Sequence, residues 1–255
     1  MSQLLVELFS EEIPARMQAA AARDLERMAR ERLTAAGLNP SSLATFAGPR
    51  RLTLLAEGLP VAQGDTSEEV KGPRVGAPPQ AMEGFLRKTG LTQDQLTERD
   101  GVYFATLTKT GGPTAAIVAT MVDEIVRGFP WPKSMRWGSG TLRWVRPLKR
   151  IVCLFDGAVV PFEIDGVVSG DMTEGHRFMG PGRAFRVADF DSYSDGLTNH
   201  FVVLDAAARK ATIKALAAKV CAEKGLELVE DEGLLEEVSG LAEWPVPILG
   251  DMDPA

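Results

Sequence analysis

The chain is poor in cysteine and histidine and has no long apolar run. It contains two cysteines, Cys153 and Cys221, and two histidines. Cys153 lies in an apolar run and Cys221 in a helical pattern, which favours two buried thiols over a disulfide or a metal pair. No run of about 18 apolar residues could span a bilayer, and the N-terminal segment carries early glutamates where a signal peptide is basic. We therefore expect a soluble, cytoplasmic protein that does not contact a membrane.

Signatures of nucleotide binding and catalysis are missing as well. Neither G-x-x-x-x-G-K-[ST] nor G-x-G-x-x-G, the glycine-rich patterns that cradle nucleotide phosphates, occurs in the chain. No cysteine–histidine or serine–histidine–aspartate set stands out, and two histidines limit general acid–base chemistry. Isolated acids near one histidine, such as Glu163, Asp165 and Glu174 near His176, are more common on surface loops than at metal sites. We predict no catalytic residue, no metal site and no cofactor bound by this chain.

One stretch reverses the overall charge of the protein. The formal net charge is −7, yet residues 131–150 hold six lysines and arginines, three tryptophans and no acidic residue. Cations suit RNA phosphates and flat rings suit bases or an apolar partner. Because the acidic protein as a whole repels phosphate, any RNA contact has to be local. We call residues 131–150 the basic-aromatic stretch and treat it as the first candidate for a binding surface.

The spacing of apolar residues predicts a mixture of strands and helices. Helices are predicted over residues 14–36, 80–89, 114–128, 205–224 and 230–241. Strands are predicted over residues 4–9, 43–46, 52–57, 102–108, 151–155, 159–164, 166–169, 201–204 and 226–229. Residues 67–79 are polar and rich in glycine and proline, and we interpret them as an ordered loop. This pattern predicts an α+β fold with mixed or largely antiparallel sheets and packed helices.

The expected organisation has three parts. Residues 1–60 form a strand–helix–strand part, residues 61–188 a central α+β region that contains the basic-aromatic stretch, and residues 189–255 a helix-rich C-terminal part. The last part shows no sign of a finished domain, so we expect it to continue in a longer protein.

Seven separated stretches resemble one protein family. They are, in order, LLVELFSEEIP (4–14), GPRRL (48–52), KGPRV (71–75), GFLRKTG (84–90), MRWG with RWVRPL (135–148), GHRF (175–178) and AEWPVPILG (242–250). This set resembles the N-terminal part of the β subunit of bacterial heterotetrameric (α2β2) glycyl-tRNA synthetase. Because the matches fall in the family's order along nearly the whole chain, together they are far more specific than any one of them.

The resemblance carries expectations about function. In that family a separate α subunit holds the aminoacylation core, which uses ATP and glycine, while the β subunit serves tRNA recognition and is required for charging. The resemblance implies an N-terminal part of this subunit that includes a B3/B4-like module, with the α subunit and tRNA(Gly) as partners. The full-length subunit could also form a homodimer. The chain alone is expected to be inactive as a ligase.

We prefer the hypothesis that the chain contributes to tRNA(Gly) binding and to assembly with the α subunit. One alternative is a structural module that docks the α subunit with little RNA contact. Another is hydrolytic editing of mischarged tRNA, which rests on fold-level analogy alone. The candidate RNA-binding residues are Arg50, Arg51, Lys71, Arg74, Arg136, Trp137, Arg143, Trp144, Arg146, Lys149, Arg150, His176 and Arg177.

Overall fold

The computed structural model describes residues 2–109 and 111–250. The chain separates into a larger unit, Met1–Val61 with Thr114–Ala255, and an inserted unit, Ala62–Pro113. The division of the chain into residues 1–60, 61–188 and 189–255, expected from the sequence, stays a prediction.

The described residues form strands and helices in both units. The strands are β1 (Gln3–Ser10), β2 (Ser42–Ala47), β3 (Arg51–Glu57), β4 (Thr66–Arg74), β5 (Thr97–Arg99), β6 (Val102–Lys109), β7 (Leu148–Phe155), β8 (Ala158–Val159), β9 (Glu163–Ile164), β10 (Val167–Gly170), β11 (Met172–Glu174) and β12 (Ala184–Arg186). The helices are α1 (Ala15–Ala35), α2 (Pro79–Thr89), α3 (Thr114–Arg127), α4 (Phe190–Asn199), α5 (Ala206–Glu223) and α6 (Glu232–Ser239). The fold is α+β, as predicted.

A mixed sheet organises the larger unit. Its strand order is β2-β3-β1-β7-β10-β9, and β8 pairs with β7. β1 lies between β3 and β7 and pairs antiparallel with both, whereas β10 runs parallel to β7. β1 is therefore a central strand with neighbours on both edges.

The two faces of β1 pack against different helices. Successive side chains of a strand point to opposite faces, and alternate residues from Leu4 onward join the core formed with α1 and α3. Leu5 belongs to a second core with Tyr193 and Leu197 of α4. Because it is two residues from Leu5, Glu7 is directed toward the α4 side of the sheet. A carboxylate therefore lies in the middle of a strand that is buried on both faces.

Helix α1 follows the predicted pattern closely. Pro14 precedes its first turn, where a missing backbone N–H costs nothing, and Gly37 follows its end with a φ of 70°. Residues at helical spacing, including Leu25 and Leu33, are buried. This stripe packs α1 on the sheet and leaves Arg16 and Arg23 exposed.

The inserted unit contains a three-stranded antiparallel sheet, in the order β4-β6-β5, with α2 packed on β4. The interpretation of residues 67–79 as a loop was wrong, because most of this segment forms β4 and pairs with β6. Its side chains are largely exposed, so it lacks the apolar alternation of a half-buried strand. Gly72 has a packing role, since a Cβ atom there would lie 2.6 Å from Cε1 of Phe85.

Three other predicted strands differ in the structure. Residues 201–204 and 226–229 form no strand. Val202 and Leu204 are apolar because they fill the second core, not because they pair in a sheet. The strand predicted over 159–164 is divided into β8 and β9 on either side of Pro161, which has no N–H to donate to a ladder.

Buried arginine joins the C-terminal helices to the sheet. Arg209 of α5 is 1% exposed, and its guanidinium donates to the backbone carbonyls of Ala47, Val203, Leu204 and Ser239 at 2.8–3.0 Å. Asp205 caps the same helix, as predicted, by accepting from the amide of residue 208 at 2.7 Å. Among the described residues, no helix combines the length and the apolarity needed to cross a membrane.

Candidate nucleic-acid interface

The residues predicted to bind RNA fall in separate places. Lys71 and Arg74 lie on β4 of the inserted unit, and the others belong to the larger unit. Within the larger unit, one group lies on the basic-aromatic stretch. A second group lies around a cavity at the start of β7, which brings together Arg50, Lys149 and His176.

Residues 131–147 of the basic-aromatic stretch form a loop that packs on buried aromatic rings, and residues 148–150 begin β7. Met135 and Trp144 exchange backbone hydrogen bonds of 2.8 and 3.2 Å. The Trp144 ring is fully buried and its centroid lies 5.0 Å from those of Phe129 and Trp131. Burial leaves Trp144 no surface on which a base could stack, so this part of the prediction is corrected. Trp137 is half-buried against the main core.

The cations of this loop face solvent. Arg136 and Arg143 are exposed, and Arg143 Nε donates to Ser134 Oγ at 3.3 Å. Arg146 is half-buried and donates to a neighbouring backbone carbonyl at 2.7 Å. In the described ranges, none of these arginines, nor Lys133, forms an ion pair. These four cations therefore form no ion pair within the described residues, although the Asp165 carboxylate touches the loop by accepting from the Thr141 amide at 3.3 Å.

A buried ion-pair network lies next to the second group, the residues around the cavity at the start of β7. Arg51 Nη1 donates to Glu7 Oε1 at 2.9 Å, and Arg51 Nη2 donates to Glu243 Oε1 at 3.0 Å. The hydroxyl groups of Tyr193 and Thr173 donate to the two oxygens of Glu7 at 2.8 and 2.5 Å. All five side chains are buried. The stretches LLVELFSEEIP, GPRRL and AEWPVPILG, which are far apart in sequence, thus meet at one ionised centre.

Arg51 is a structural residue in this arrangement. Its side chain is 1% exposed, so it offers no surface to a phosphate, and its assignment as an RNA contact is corrected. Burial acts to lower the pKa of Arg51, but the charges of Glu7 and Glu243 outweigh that effect and raise it. A buried arginine between two carboxylates keeps its charge because both partners are in hydrogen-bond contact.

A cavity next to this network is lined by predicted RNA-binding residues and by one arginine that was not predicted. It has a volume of about 260 Å³. We call it the cationic cavity, and the side chains that line it are Arg50, Lys149, Glu174, His176, Arg177 and Arg183. Arg150 lies beside it, and its Nε donates to Glu174 Oε1 at 2.7 Å. Sequence reasoning missed Arg183, although the Gly180-Pro181-Gly182 turn just before it signals a loop that exposes an arginine.

Carboxylates partly neutralise this cavity. Glu11 forms ion pairs with both Lys149 and Arg177. The hydrogen bond from Lys149 is the largest influence on Glu11 and lowers its pKa below the ordinary value, with a further contribution from Arg177 and against the opposing effect of burial. Glu11 therefore stays ionised and holds together two of the cations that line the cavity.

The inserted unit supplies a separate pair of cations. Lys71 and Arg74 are exposed on β4, and neither forms an ion pair within the part of the chain that the structure describes. Their role in RNA binding stays a prediction, as do those of the exposed residues in the larger unit.

The described residues contain no group of three histidine, cysteine or acidic side chains placed to hold a metal ion. Cys153 is buried, and burial raises the pKa of its thiol. Cys221 is half-buried, and the two are free thiols.

Comparisons with known proteins agree with the family that the seven sequence stretches resemble. Residues 4–255 match the family model described as glycyl-tRNA synthetase beta subunit. The chain is 68% identical to the glycine–tRNA ligase beta subunit of Phenylobacterium zucineum over 255 residues, covering 100% of this chain and 38% of the relative. It is 54% identical to that of a Ruegeria species and 52% identical to that of Paracoccus denitrificans, covering 99% of this chain and 38% of the relative in both cases. The chain thus spans well under half the length of these relatives, and it belongs to the glycyl-tRNA synthetase beta subunit family.

Proposed function

We propose that this chain acts as the N-terminal region of a glycine–tRNA ligase β subunit and contributes to the binding of tRNA(Gly). The basic-aromatic stretch carries the proposal, because Arg136 and Arg143 are exposed and form no ion pair within the described residues, on a loop that the buried Trp144 holds in place. Cations on a rigid loop can position phosphates without the entropy cost of first ordering the loop. Such contacts orient the RNA and do not by themselves choose its sequence.

In this proposal the ligase reaction takes place elsewhere. ATP and glycine bind at the α subunit in the cytoplasm, and this chain supports the attachment of glycine to tRNA by holding the RNA and by joining the assembly. The relatives are named as beta subunits, which supports an α-subunit partner. A homodimer through the full-length subunit and editing of mischarged tRNA both stay predictions.

The RNA contact is tested by titrating labelled tRNA(Gly) with the chain at several salt concentrations. The double variant Arg136→Glu/Arg143→Glu is compared with Arg16→Glu/Arg23→Glu, which reverses two exposed arginines on α1 and alters the net charge equally. We expect the loop variant to bind at least roughly tenfold more weakly and to reduce the salt dependence by about two phosphate contacts. Equal binding by the two variants, or binding that salt does not change, would contradict the proposal.

Assembly is a second candidate role, which exposed apolar side chains favour. Val229 is 88% exposed and Leu234 of α6 is 60% exposed. Large apolar side chains that lie close together on a surface often mark a site of protein–protein contact. Both line one cleft with residues of α5. If this face meets the α subunit, Leu234→Asp should reduce co-purification with that subunit, whereas Val168→Asp, at a side chain 65% exposed on β10, should not. Unchanged co-purification of Leu234→Asp would remove this face from the assembly.

A further inference from the structure

The cationic cavity has features that the ion-pair network beneath it does not use. It lies in the larger unit. Its walls are the N-terminal end of β3, the start of β7 and the loop over residues 174–183. Three glycines and a proline shape this loop. At Gly180, an added Cβ atom would lie 2.9 Å from the backbone oxygen of His176, so the loop folds back closely on itself. The cavity wall is therefore set by backbone packing as well as by side chains.

Arg50 is the most buried cation of this cavity and its charge is poorly matched. The residue is 4% exposed, and its Nε, like that of Arg51, has no hydrogen-bond acceptor among the described residues. Nη1 donates to the Gly175 carbonyl at 3.3 Å, and the nearest carboxylate oxygens, on Glu174 and Glu243, lie at 3.6 and 3.8 Å. Its neighbour Arg51 has carboxylate contacts at 2.9 and 3.0 Å. Burial lowers the pKa of Arg50, as expected when desolvation is incompletely compensated.

Positive charge exceeds negative charge around the cavity. Lys149 and Arg177 share one carboxylate, Glu11. Glu174 is in turn shared between Arg150 and Arg50. Glu243 lies closer to Arg51 than to Arg50, and it balances Arg51 together with Glu7. Arg183 is exposed and forms no ion pair in the described ranges. An anion entering the cavity would meet cations from several directions.

Backbone hydrogen bonds fix the ring of the cavity's histidine. His176 Nδ1 accepts from the amides of Phe178 and Met179 at 3.2 and 3.1 Å. With Nδ1 occupied as an acceptor, the neutral ring carries its hydrogen on Nε2. Nε2 is therefore the ring nitrogen that can donate a hydrogen bond to a ligand.

We propose that the cationic cavity is a phosphate-binding site. A phosphate group presents several acceptor oxygens and up to two negative charges, which suits a buried arginine, a lysine point charge and exposed arginines arranged around one space. The ligand is a phosphate of the bound RNA, and this identification rests on the proposed function. A small phosphate compound has the same chemistry and is the alternative source.

The site itself is tested without RNA. Inorganic phosphate is titrated into the isotope-labelled chain at constant ionic strength, with chloride as the reference anion, while the amide signals of residues 174–183 are followed by NMR. Phosphate should shift these signals saturably in the wild-type chain and in Arg186→Gln, an exposed arginine of β12 that pairs with Asp171 and does not line the cavity. It should shift them much less in Arg183→Gln, which removes a cation without a described partner, and in Lys149→Gln. Weak shifts that are equal in all variants, or equal for chloride and phosphate, would overturn the proposal.

The source of the phosphate is tested with tRNA(Gly). If the cavity holds an RNA phosphate, Arg183→Gln should bind tRNA several-fold more weakly than Arg186→Gln and reduce the salt dependence by about one phosphate contact. Inorganic phosphate should also compete with tRNA more strongly than chloride does. If Arg136→Glu/Arg143→Glu loses tRNA binding and Arg183→Gln does not, the proposed function stands and the RNA source is wrong. If tRNA does not bind but phosphate still shifts the amide signals of residues 174–183, the phosphate site stands and its ligand is a small phosphate compound. The proposed function is then wrong.

Discussion

Replacing Glu7 by leucine is expected to destabilise the larger unit by about 3–5 kcal/mol, the usual cost of removing one partner from a buried ion pair. Glu7 is fully buried and accepts from Arg51, Tyr193 and Thr173. Leucine has a similar size, so the cost arises mainly from donors that lose their acceptor and from the arginine that loses one carboxylate. Arg51 keeps Glu243 at 3.0 Å, which favours the lower end of this range.

Two further variants separate the charge from the hydrogen bonds. Glu7→Gln keeps an acceptor oxygen for Arg51 and Tyr193 and removes the charge, so we expect about 1–3 kcal/mol of destabilisation. The double variant Glu7→Leu/Arg51→Met removes both members of the pair. Its cost should be smaller than the sum of the two single variants, because residues in direct contact are energetically coupled.

Urea unfolding of the larger unit, monitored by tryptophan fluorescence, measures these differences. Glu31→Gln is the control, because Glu31 pairs with Arg27 on the exposed face of α1 and such pairs contribute little to stability. The reasoning is refuted if Glu7→Leu unfolds at the same urea concentration as Glu31→Gln. It is also refuted if the costs of Glu7→Leu and Arg51→Met are additive in the double variant.

Three other variants test particular contacts. Because the hydrogen bond from Lys149, above all, places the folded-state pKa of Glu11 below its ordinary value of 4.5, the stability that Glu11 contributes is present above about pH 4.5 and is lost as the pH falls through the folded-state pKa. The difference in urea midpoint between wild type and Glu11→Gln should therefore shrink on acidification, and a constant difference would contradict this. Arg209→Lys should cost about 2–4 kcal/mol, measured as a lower unfolding midpoint, because one ammonium group cannot reach four separate carbonyls; an unchanged midpoint would show that these bonds are dispensable. Gly72→Ala should increase hydrogen exchange in β4 and β6, because its Cβ atom would lie 2.6 Å from the Phe85 ring and overpacking costs about 1–3 kcal/mol. Phe85→Leu in the same chain should relieve part of that effect, and an equal increase with either residue at position 85 would argue against the contact.

Most of the secondary structure could be predicted because it follows local rules. The start of α1 after Pro14 and its end before Gly37 follow from proline and glycine chemistry and from apolar spacing. The errors occurred where one sequence pattern is compatible with two different local structures. Val202 and Leu204 are apolar because they fill a core, and β4 is polar although it is a strand, because little of it is covered.

The sequence by itself determined the family, the α+β class and the location of the basic-aromatic stretch, because ordered short matches, apolar periodicity and clustered charge are all properties of neighbouring residues. Which cations remain available was decided by tertiary structure. Arg50 and Arg51 are adjacent and identical in type, yet Arg51 lies 2.9 and 3.0 Å from two carboxylates, whereas the nearest carboxylate oxygens to Arg50 lie at 3.6 and 3.8 Å. The difference arises because Glu7 and Glu243 reach Arg51 from distant parts of the chain. For a buried arginine, such long-range ion pairs determine whether its charge is compensated.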